Sequence, residues 1–324
     1  MRNKKYLVTG GTGFIGSALV KTLLAEGLQV RVLDNDSRGN RSRLLGVEGQ
    51  YEFVQGDICN LEDVQRVTKG VHGIFHLAAV NGTENFYSKP ERVLEVAVKG
   101  MVNILDAAIS SEVKDFFLAS SSEVYQTPSQ IPTAEEEILR VPDVYNPRFS
   151  YGGGKIISEL LLANYGRKFF DRAIIFRPHN VYGPDMGFEH VIPQFAMRMS
   201  ELVDQNSDRV IPFRIQGSGK ETRAFIYIND FINGLILLMR KGEHLNTYHI
   251  GSDVETPIKD VAYAVSEAFD RKIELVAESL QPGSTLRRCP DIAKIKSLGF
   301  NITTSLLEGI KYTTNWYKEQ KIKI

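Results

Sequence analysis

Short runs of β-branched and aromatic residues alternate, through the first half of the chain, with longer segments whose apolar positions recur every three or four residues. Segments 6–9, 30–33, 51–54, 73–77, 115–119 and 172–176 read as strands, and 15–26 and 90–110 as helices. This alternation predicts βαβ units on a parallel sheet, and the right-handed crossover rule makes a doubly wound α/β sheet of the Rossmann type the economical topology. After Arg177, the prolines Pro178, Pro184, Pro193 and Pro212 and the turn Gly217-Ser218-Gly219 break the rhythm and predict a smaller, less regular α/β lobe. Segments 226–228, 231–240 and 248–250 again resemble sheet-layer elements. The expectation is therefore a sheet domain over 1–177 plus about 225–252, and a discontinuous lobe over about 178–224 plus 253–324. No internal repeat interrupts this reading.

Composition narrows the possibilities. The 324 residues carry 39 Lys+Arg against 39 Asp+Glu, with 43% hydrophobic and 24% charged residues, an ordinary globular balance large enough for a substantial core. A binder of nucleic acid that relied on counterion release would show a basic excess, so no nucleic-acid partner is expected. Cys59 and Cys289 lie far apart and the six histidines show no metal-ligand spacing, which disfavours a disulfide framework and any metal site. The apolar run at 6–8 is interrupted at once by Gly10, and no stretch reaches membrane-spanning length. A chain without targeting signal or membrane partner, working in the cytoplasm, is the expectation.

The first chemistry lies where strand 6–9 runs into Gly10-Gly11-Thr12-Gly13-Phe14-Ile15-Gly16 and then into an amphipathic helix. Glycine lets the backbone turn tightly and approach a pyrophosphate, while N–H groups at the helix start attract its charge. Asp34 ends the next strand, 18 residues after Gly16. A carboxylate there accepts from a ribose diol and repels a 2′-phosphate, so NAD is expected over NADP, with Arg38 and Arg41 nearby as a counterweight.

The glycine segment, together with Gly56-Asp57-Ile58, His76-Leu77-Ala78-Ala79, Ser120-Ser121-Ser122-Glu123-Val124-Tyr125 and Tyr151-Gly152-Gly153-Gly154-Lys155, resembles the extended short-chain dehydrogenase/reductase family. The likeness continues through Arg177-Pro178-His179-Asn180-Val181-Tyr182-Gly183-Pro184, Arg223-Ala224-Phe225-Ile226-Tyr227-Ile228-Asn229-Asp230 and Arg288-Cys289-Pro290-Asp291. The resemblance implies an NAD-dependent nucleotide-sugar epimerase, dehydratase or decarboxylase. It implies cofactor contacts at Gly10, Gly13, Phe14, Ile15, Gly16, Asp34, Asp57, Ile58, Ala78 and Lys155. The sheet domain would then hold NAD and the smaller lobe a nucleotide-diphosphate sugar.

Tyr151 and Lys155 are spaced i, i+4 and share a helix face. A neighbouring ammonium and a positive nicotinamide favour the phenolate, which would accept a sugar hydroxyl proton as C4 is oxidised. By resemblance, Ser121 hydrogen-bonds the reacting oxygen and Ser122 lies with the substrate. Glu123 stands where dehydratases and uronate decarboxylases often carry a carboxylate, a sensible base for the acidified C5 hydrogen of a 4-keto sugar or an aid to loss of CO2. C5 chemistry of these types is the leading expectation, with 4-epimerisation, net 4-dehydrogenation and a non-catalytic NAD sensor as alternatives.

Segment 216–225 and Arg288-Cys289-Pro290-Asp291 look similar to parts of UDP-glucuronate decarboxylases. That likeness assigns Asn180, Arg223 and Arg288 to the diphosphate and Asp291 to a ribose hydroxyl, with Arg287 an equally placed substitute for Arg288. Three features depart from the family pattern: the run Gly152-Gly153-Gly154, Ala97 where Asn is common, and His179 for an aromatic residue. The glycine run either admits a bulky or differently posed substrate or permits close helix packing. In this family the helix over 90–110 and the one carrying Lys155 pair across a two-fold axis, which implies a homodimer.

Overall fold

The computed structural model describes residues 4–188, 190–205, 210–279 and 285–321. The chain divides into two compact units. Met1–Gln126, Glu135–Pro178 and Ile232–Ile250 make the first; Thr127–Ala134, His179–Phe231 and Gly251–Ile324 make the second.

The first unit is a sheet between helices. Its strands are β1 (Lys5–Thr9), β2 (Gln29–Asp34), β3 (Glu52–Gln55), β4 (Gly73–His76), β5 (Asp115–Ala119) and β6 (Arg172–Pro178). Between them run α1 (Phe14–Ala25), α2 (Leu61–Thr68), α3 (Thr83–Ser88), α4 (Pro90–Ser110) and α5 (Ser150–Phe169). Numbering onward along the chain, β11 (Asn246–Ile250) adds the last strand, giving a seven-stranded order β11-β6-β5-β4-β1-β2-β3. All its pairings are parallel. Helices cover both faces, so β4 and β5 are buried at every residue, as a parallel sheet requires. One face packs Leu7, Ile74, Phe116 and Ile175 against Val64 of α2, Leu105 of α4 and Leu162 of α5. On the other, Phe75 and Phe117 stack with ring centroids 4.5 Å apart.

Packing explains the glycine run. α4 and α5 lie side by side, and a Cβ on Gly154 would stand 2.7 Å from Ala97 Cβ, inside van der Waals contact. A Cβ on Gly152 would stand 2.8 Å from the Glu123 carbonyl oxygen, while Gly153 meets only Val141 at 3.5 Å. Two of the three glycines thus serve close approach, and Ala97 and Gly154 are matched small residues at one crossing.

The far end of the sheet is closed by charge. Asp115 and Arg172 sit opposite each other in the β5–β6 register, joined through Nε at 3.2 Å and Nη2 at 2.6 Å. Arg172 also donates to Met239 O at 2.7 Å, and His72 Nε2 lies 3.3 Å from the same carboxylate.

The second unit contains β7 (Val181–Tyr182), α6 (Val191–Gln205), β8 (Val210–Gln216), β9 (Thr222–Ala224), β10 (Ile226–Tyr227), β12 (Glu255–Pro257), α8 (Ile258–Ala268), β13 (Lys272–Glu278), β14 (Arg287–Arg288), α9 (Ala293–Ser297) and α10 (Leu306–Lys321); α7 is Ile228–Lys241. Segment 225–231, expected with the sheet domain, groups here instead. Its strand β10 pairs with β7 in a separate two-stranded sheet rather than joining the large one. Asp230, fully buried, accepts from the backbone N–H groups of Thr303 and Thr304 at 3.0 and 2.9 Å and so pins that loop. Among the described residues no helix is long and apolar enough to cross a membrane, and no cluster of three potential metal ligands occurs.

Two stability measurements follow. Gly154→Val should lower the urea midpoint by an amount equivalent to about 2 kcal/mol through overpacking against α4, and adding Ala97→Gly should recover part of that loss. Asp115→Asn, which strips the charge from Arg172's partner, should cost about 2–3 kcal/mol in the same assay.

Candidate active site

The cradle is built by backbone. Gly10 N–H donates to Leu33 O at 2.9 Å and Gly13 N–H to Gly10 O at 3.1 Å, folding the loop back on β1. A Cβ on Gly16 would stand 2.1 Å from Gly10 O, and one on Gly10 would stand 2.9 Å from the Ala78 amide nitrogen, so side chains are excluded where the loop, α1 and the end of β4 converge. Gly13 caps α1 without a side-chain acceptor, and no acidic residue occupies the first turn at Phe14 and Ile15. First-turn N–H groups are therefore available to an anion, and a dinucleotide pyrophosphate fits this backbone.

Asp34 ends β2 beside the cradle. Its two oxygens accept from Thr12 N–H at 2.9 Å and Asp36 N–H at 3.0 Å, and each retains lone-pair capacity for a ribose hydroxyl. Arg41 is committed to Asp36 at 2.8 Å and Gln55 at 3.0 Å. Arg38 donates to Asn81 O. Asp57 accepts from Cys59 N–H at 2.9 Å, Arg92 at 2.6 Å and Asn35 at 3.1 Å. Burial pushes its pKa up, but these bonds together hold it below the usual carboxylate range. Ile58, next along, is buried and closes against Gly100 of α4.

At the end of β5 the chain brings Ser121, Ser122 and Glu123 against α5. Ser121 Oγ accepts from Glu123 N–H at 3.1 Å, opening the 3₁₀ turn Ser122–Val124. Gln126 Nε2 donates to Glu123 O at 2.6 Å across the bare backbone of Gly152. Tyr151 is buried and stacks on Phe86, centroids 5.0 Å apart. Lys155 is 4% exposed and donates to Ala119 O at 2.7 Å.

In the chain by itself the Tyr151 phenol is pushed up to about 12: burial dominates, Ser121 and the charge of Arg38 act the other way, and Glu123's charge raises it further. Lys155, 5.8 Å from the Tyr151 ring centroid, is itself drawn down to about 8 by burial, with Glu159 opposing. The chain alone thus keeps the phenol protonated, because desolvation outweighs its local donors.

In the second unit, Asn180 adopts left-handed backbone (φ 42°) and donates to Ala224 O at 2.9 Å. Arg223 donates to Thr285 O at 2.7 Å and Thr222 O at 2.8 Å. β14 pairs in parallel with β9, setting Arg288 opposite Arg223 and Arg287 opposite Thr222. Alternation then places Arg288 on Arg223's face and Arg287 on the other, where Glu255 binds it through Nε at 3.0 Å. Arg287 and Arg288 are not equivalent. Asp291 N–H donates to Thr133 O at 2.7 Å, and its carboxylate accepts from Ala293 N–H at 2.8 Å at the start of α9. His179 is buried, with Gly251 packed onto its Cβ.

Sequence reading gave no role to Phe86, the ring beneath Tyr151, or to Glu159. Only the latter had a signal, its place four residues after Lys155 on one helix face.

Several known proteins resemble this chain. UDP-glucuronic acid decarboxylase 1 of Arabidopsis thaliana is 30% identical over 94% of this chain and 68% of its own length. A UDP-glucose 4-epimerase from Thermotoga maritima, solved with UDP-glucose, superposes with a TM-score of 0.86 at 27% identity, covering 98% of this chain and 99% of that one. A double mutant of a dTDP-glucose 4,6-dehydratase from Streptomyces venezuelae, solved with NAD, gives a TM-score of 0.85 at 28% identity over 100% and 98%. Residues 6–251 match the sequence profile of the NAD dependent epimerase/dehydratase family. With its glycine cradle, parallel sheet and Tyr151–Lys155 helix in that family's order, the chain belongs to the NAD dependent epimerase/dehydratase family, enzymes that modify nucleotide sugars.

Proposed function

We propose that the chain oxidises C4 of a nucleotide-diphosphate sugar and then uses the 4-keto group for chemistry at C5, as a 4,6-dehydratase or a uronate decarboxylase. The observation that carries the reading is the grouping of Ser121, Glu123 and Tyr151: Ser121 Oγ accepts from Glu123 N–H at 3.1 Å, the Glu123 carbonyl abuts Gly152 next to Tyr151, and both residues bear on the phenol. Gly10, Gly13, Phe14, Ile15, Gly16, Asp34, Asp57, Ile58, Ala78 and Lys155 would hold NAD. Bound NAD supplies the two-electron acceptor and, through its positive ring, support for a phenolate at Tyr151. Tyr151 Oη takes the C4 hydroxyl proton while Ser121 orients the same oxygen. In the decarboxylase route Glu123 assists loss of CO2, and Tyr151 returns its proton when the 4-keto group is reduced; in the dehydratase route Glu123 takes the C5 proton and gives it back to C5, the C6 hydroxyl leaves as water balanced by the proton taken up at Tyr151, and the 4-keto group is kept. Asn180, Arg223 and Arg288 would bind the diphosphate, Asp291 a ribose hydroxyl, and Ser122 the sugar.

The decarboxylase and dehydratase relatives support C5 chemistry. The Thermotoga maritima epimerase supports a second reading, 4-epimerisation, in which Glu123 takes no proton. Leu94, Ile157 and Leu160 lie exposed on α4 and α5, which supports a homodimer through these helices.

Incubation with UDP-, GDP-, CDP- and dTDP-sugars, read by product mass and NADH absorbance, tests the proposal. Loss of water or CO2 is expected; unchanged mass marks an epimerase and loss of two hydrogens a dehydrogenase. Tyr151→Phe should cut turnover about 10²–10⁴-fold, and full turnover would sink the shared mechanism. Glu123→Gln should slow product formation about 100-fold, and normal turnover would remove the C5 role. Leu160→Glu should shift the chain to monomer in size-exclusion chromatography with light scattering if the helices form the dimer face.

A further inference from the structure

Three consecutive residues at the end of β5 meet three successive turns of α5. Ala119 O accepts from Lys155 Nζ at 2.7 Å, Ser120 Oγ donates to Glu159, and Ser121 lies near enough to Tyr151 to lower the phenol's pKa. Tyr151, Lys155 and Glu159 stand at i, i+4 and i+8. The Glu159 carboxylate, 5% exposed, also accepts from Arg177 Nε at 2.8 Å and Nη2 at 2.6 Å. Behind it, Arg177 donates to Tyr125 Oη and to Glu135 O, and Tyr125 Oη meets His249 Nε2 at 2.6 Å. A buried ion pair is a costly way to fill space, since its desolvation offsets most of its attraction. This one lies a single helical turn from a buried ammonium.

We propose that Glu159 is a positioning residue for the Tyr151–Lys155 pair: it tethers Ser120, and through it Ser121, to α5, and it is the buried counter-charge of the Lys155 ammonium. Its consequence for turnover rests on the reading of Tyr151 and Lys155 above; its consequence for Lys155 does not. The other groups facing this interior are Arg177, Tyr125, His249 and Glu135, together with His76 on β4, which burial draws down to about 3 and keeps neutral. Glu159 is the one whose charge pulls Lys155 back up against burial.

The test is an NMR titration of the full chain carrying ¹³C-lysine, with Lys155→Arg assigning the resonance, beside the pH dependence of turnover. Lys155 should titrate near 8 in the natural chain. In Glu159→Gln the midpoint should fall by about one pH unit or more, and Glu159→Asp should restore most of it. The ammonium is the protonated form, lost as pH rises through its pKa, so the alkaline limb of turnover should move to lower pH by the same interval. Should the orphaned Arg177 prevent folding of the single variant, Glu159→Gln/Arg177→Gln is titrated instead, with a smaller fall expected. A folded variant whose Lys155 midpoint is unchanged overturns the proposal, as does a shifted midpoint with an unmoved rate profile. Full turnover in Tyr151→Phe would instead overturn the reaction reading and leave the titration result standing.

Discussion

The clamp between the end of β5 and helix α5 is the constraint on which the site depends. An ammonium and a carboxylate taken into a low-dielectric interior must each find partners. The strand end supplies them residue by residue, a backbone carbonyl for Lys155 and a hydroxyl for Glu159. Because the sheet is parallel, the same edge carries the ends of β1, β2 and β4, so the cradle and the clamp share one rim of the first unit. Thr9 ties the rim internally. Its hydroxyl oxygen accepts from Leu77 and Ala78 N–H at 3.2 and 3.3 Å and is hydrogen-bonded to His76 Nδ1 at 2.9 Å. At the opposite edge, Asp115 and Arg172 lock β5 to β6, so the strand whose end bears Ser121 is held at both ends.

Close packing is the second determinant. Gly152 and Gly154 let α5 approach the Glu123 turn and Ala97 of α4 within distances that a side chain would forbid. Glycine inside a helix costs about 1 kcal/mol relative to Ala. That cost is accepted where it sets the depth of Tyr151 between Phe86 and the serine run. Burial at that depth in turn raises the phenol and lowers the lysine, so both groups are tuned by desolvation first and by neighbours second.

The absence of net charge acquires a meaning here. A family whose ligands are a dinucleotide and a nucleotide sugar works with anions, yet this chain has no surplus of positive charge to attract them at a distance. In the proposed reading recognition is left to short-range donors, the first-turn N–H groups of α1 for one pyrophosphate and Arg223 of β9 with Arg288 of β14 for the other.

What the residues alone determined is whatever physics makes local. Apolar period marked six strands and α4 almost to the residue, and the spacing of glycines with a following carboxylate marked the cradle, because dihedral preference and side-chain period act between near neighbours. The motif order carried the family. Tertiary structure decided what depends on approach through space. It sent Ile226 and Tyr227 to a separate small sheet, and grouped 225–231 with the second unit, since strand pairing is chosen by available edges and not by apolar character. It sorted Arg288 from Arg287 by register, a property of two strands that neither segment possesses alone. It joined Glu159 to Arg177 and Ser120, and it raised the Tyr151 phenol in the chain itself, because desolvation is set by everything packed around a group and not by the residues beside it in the chain.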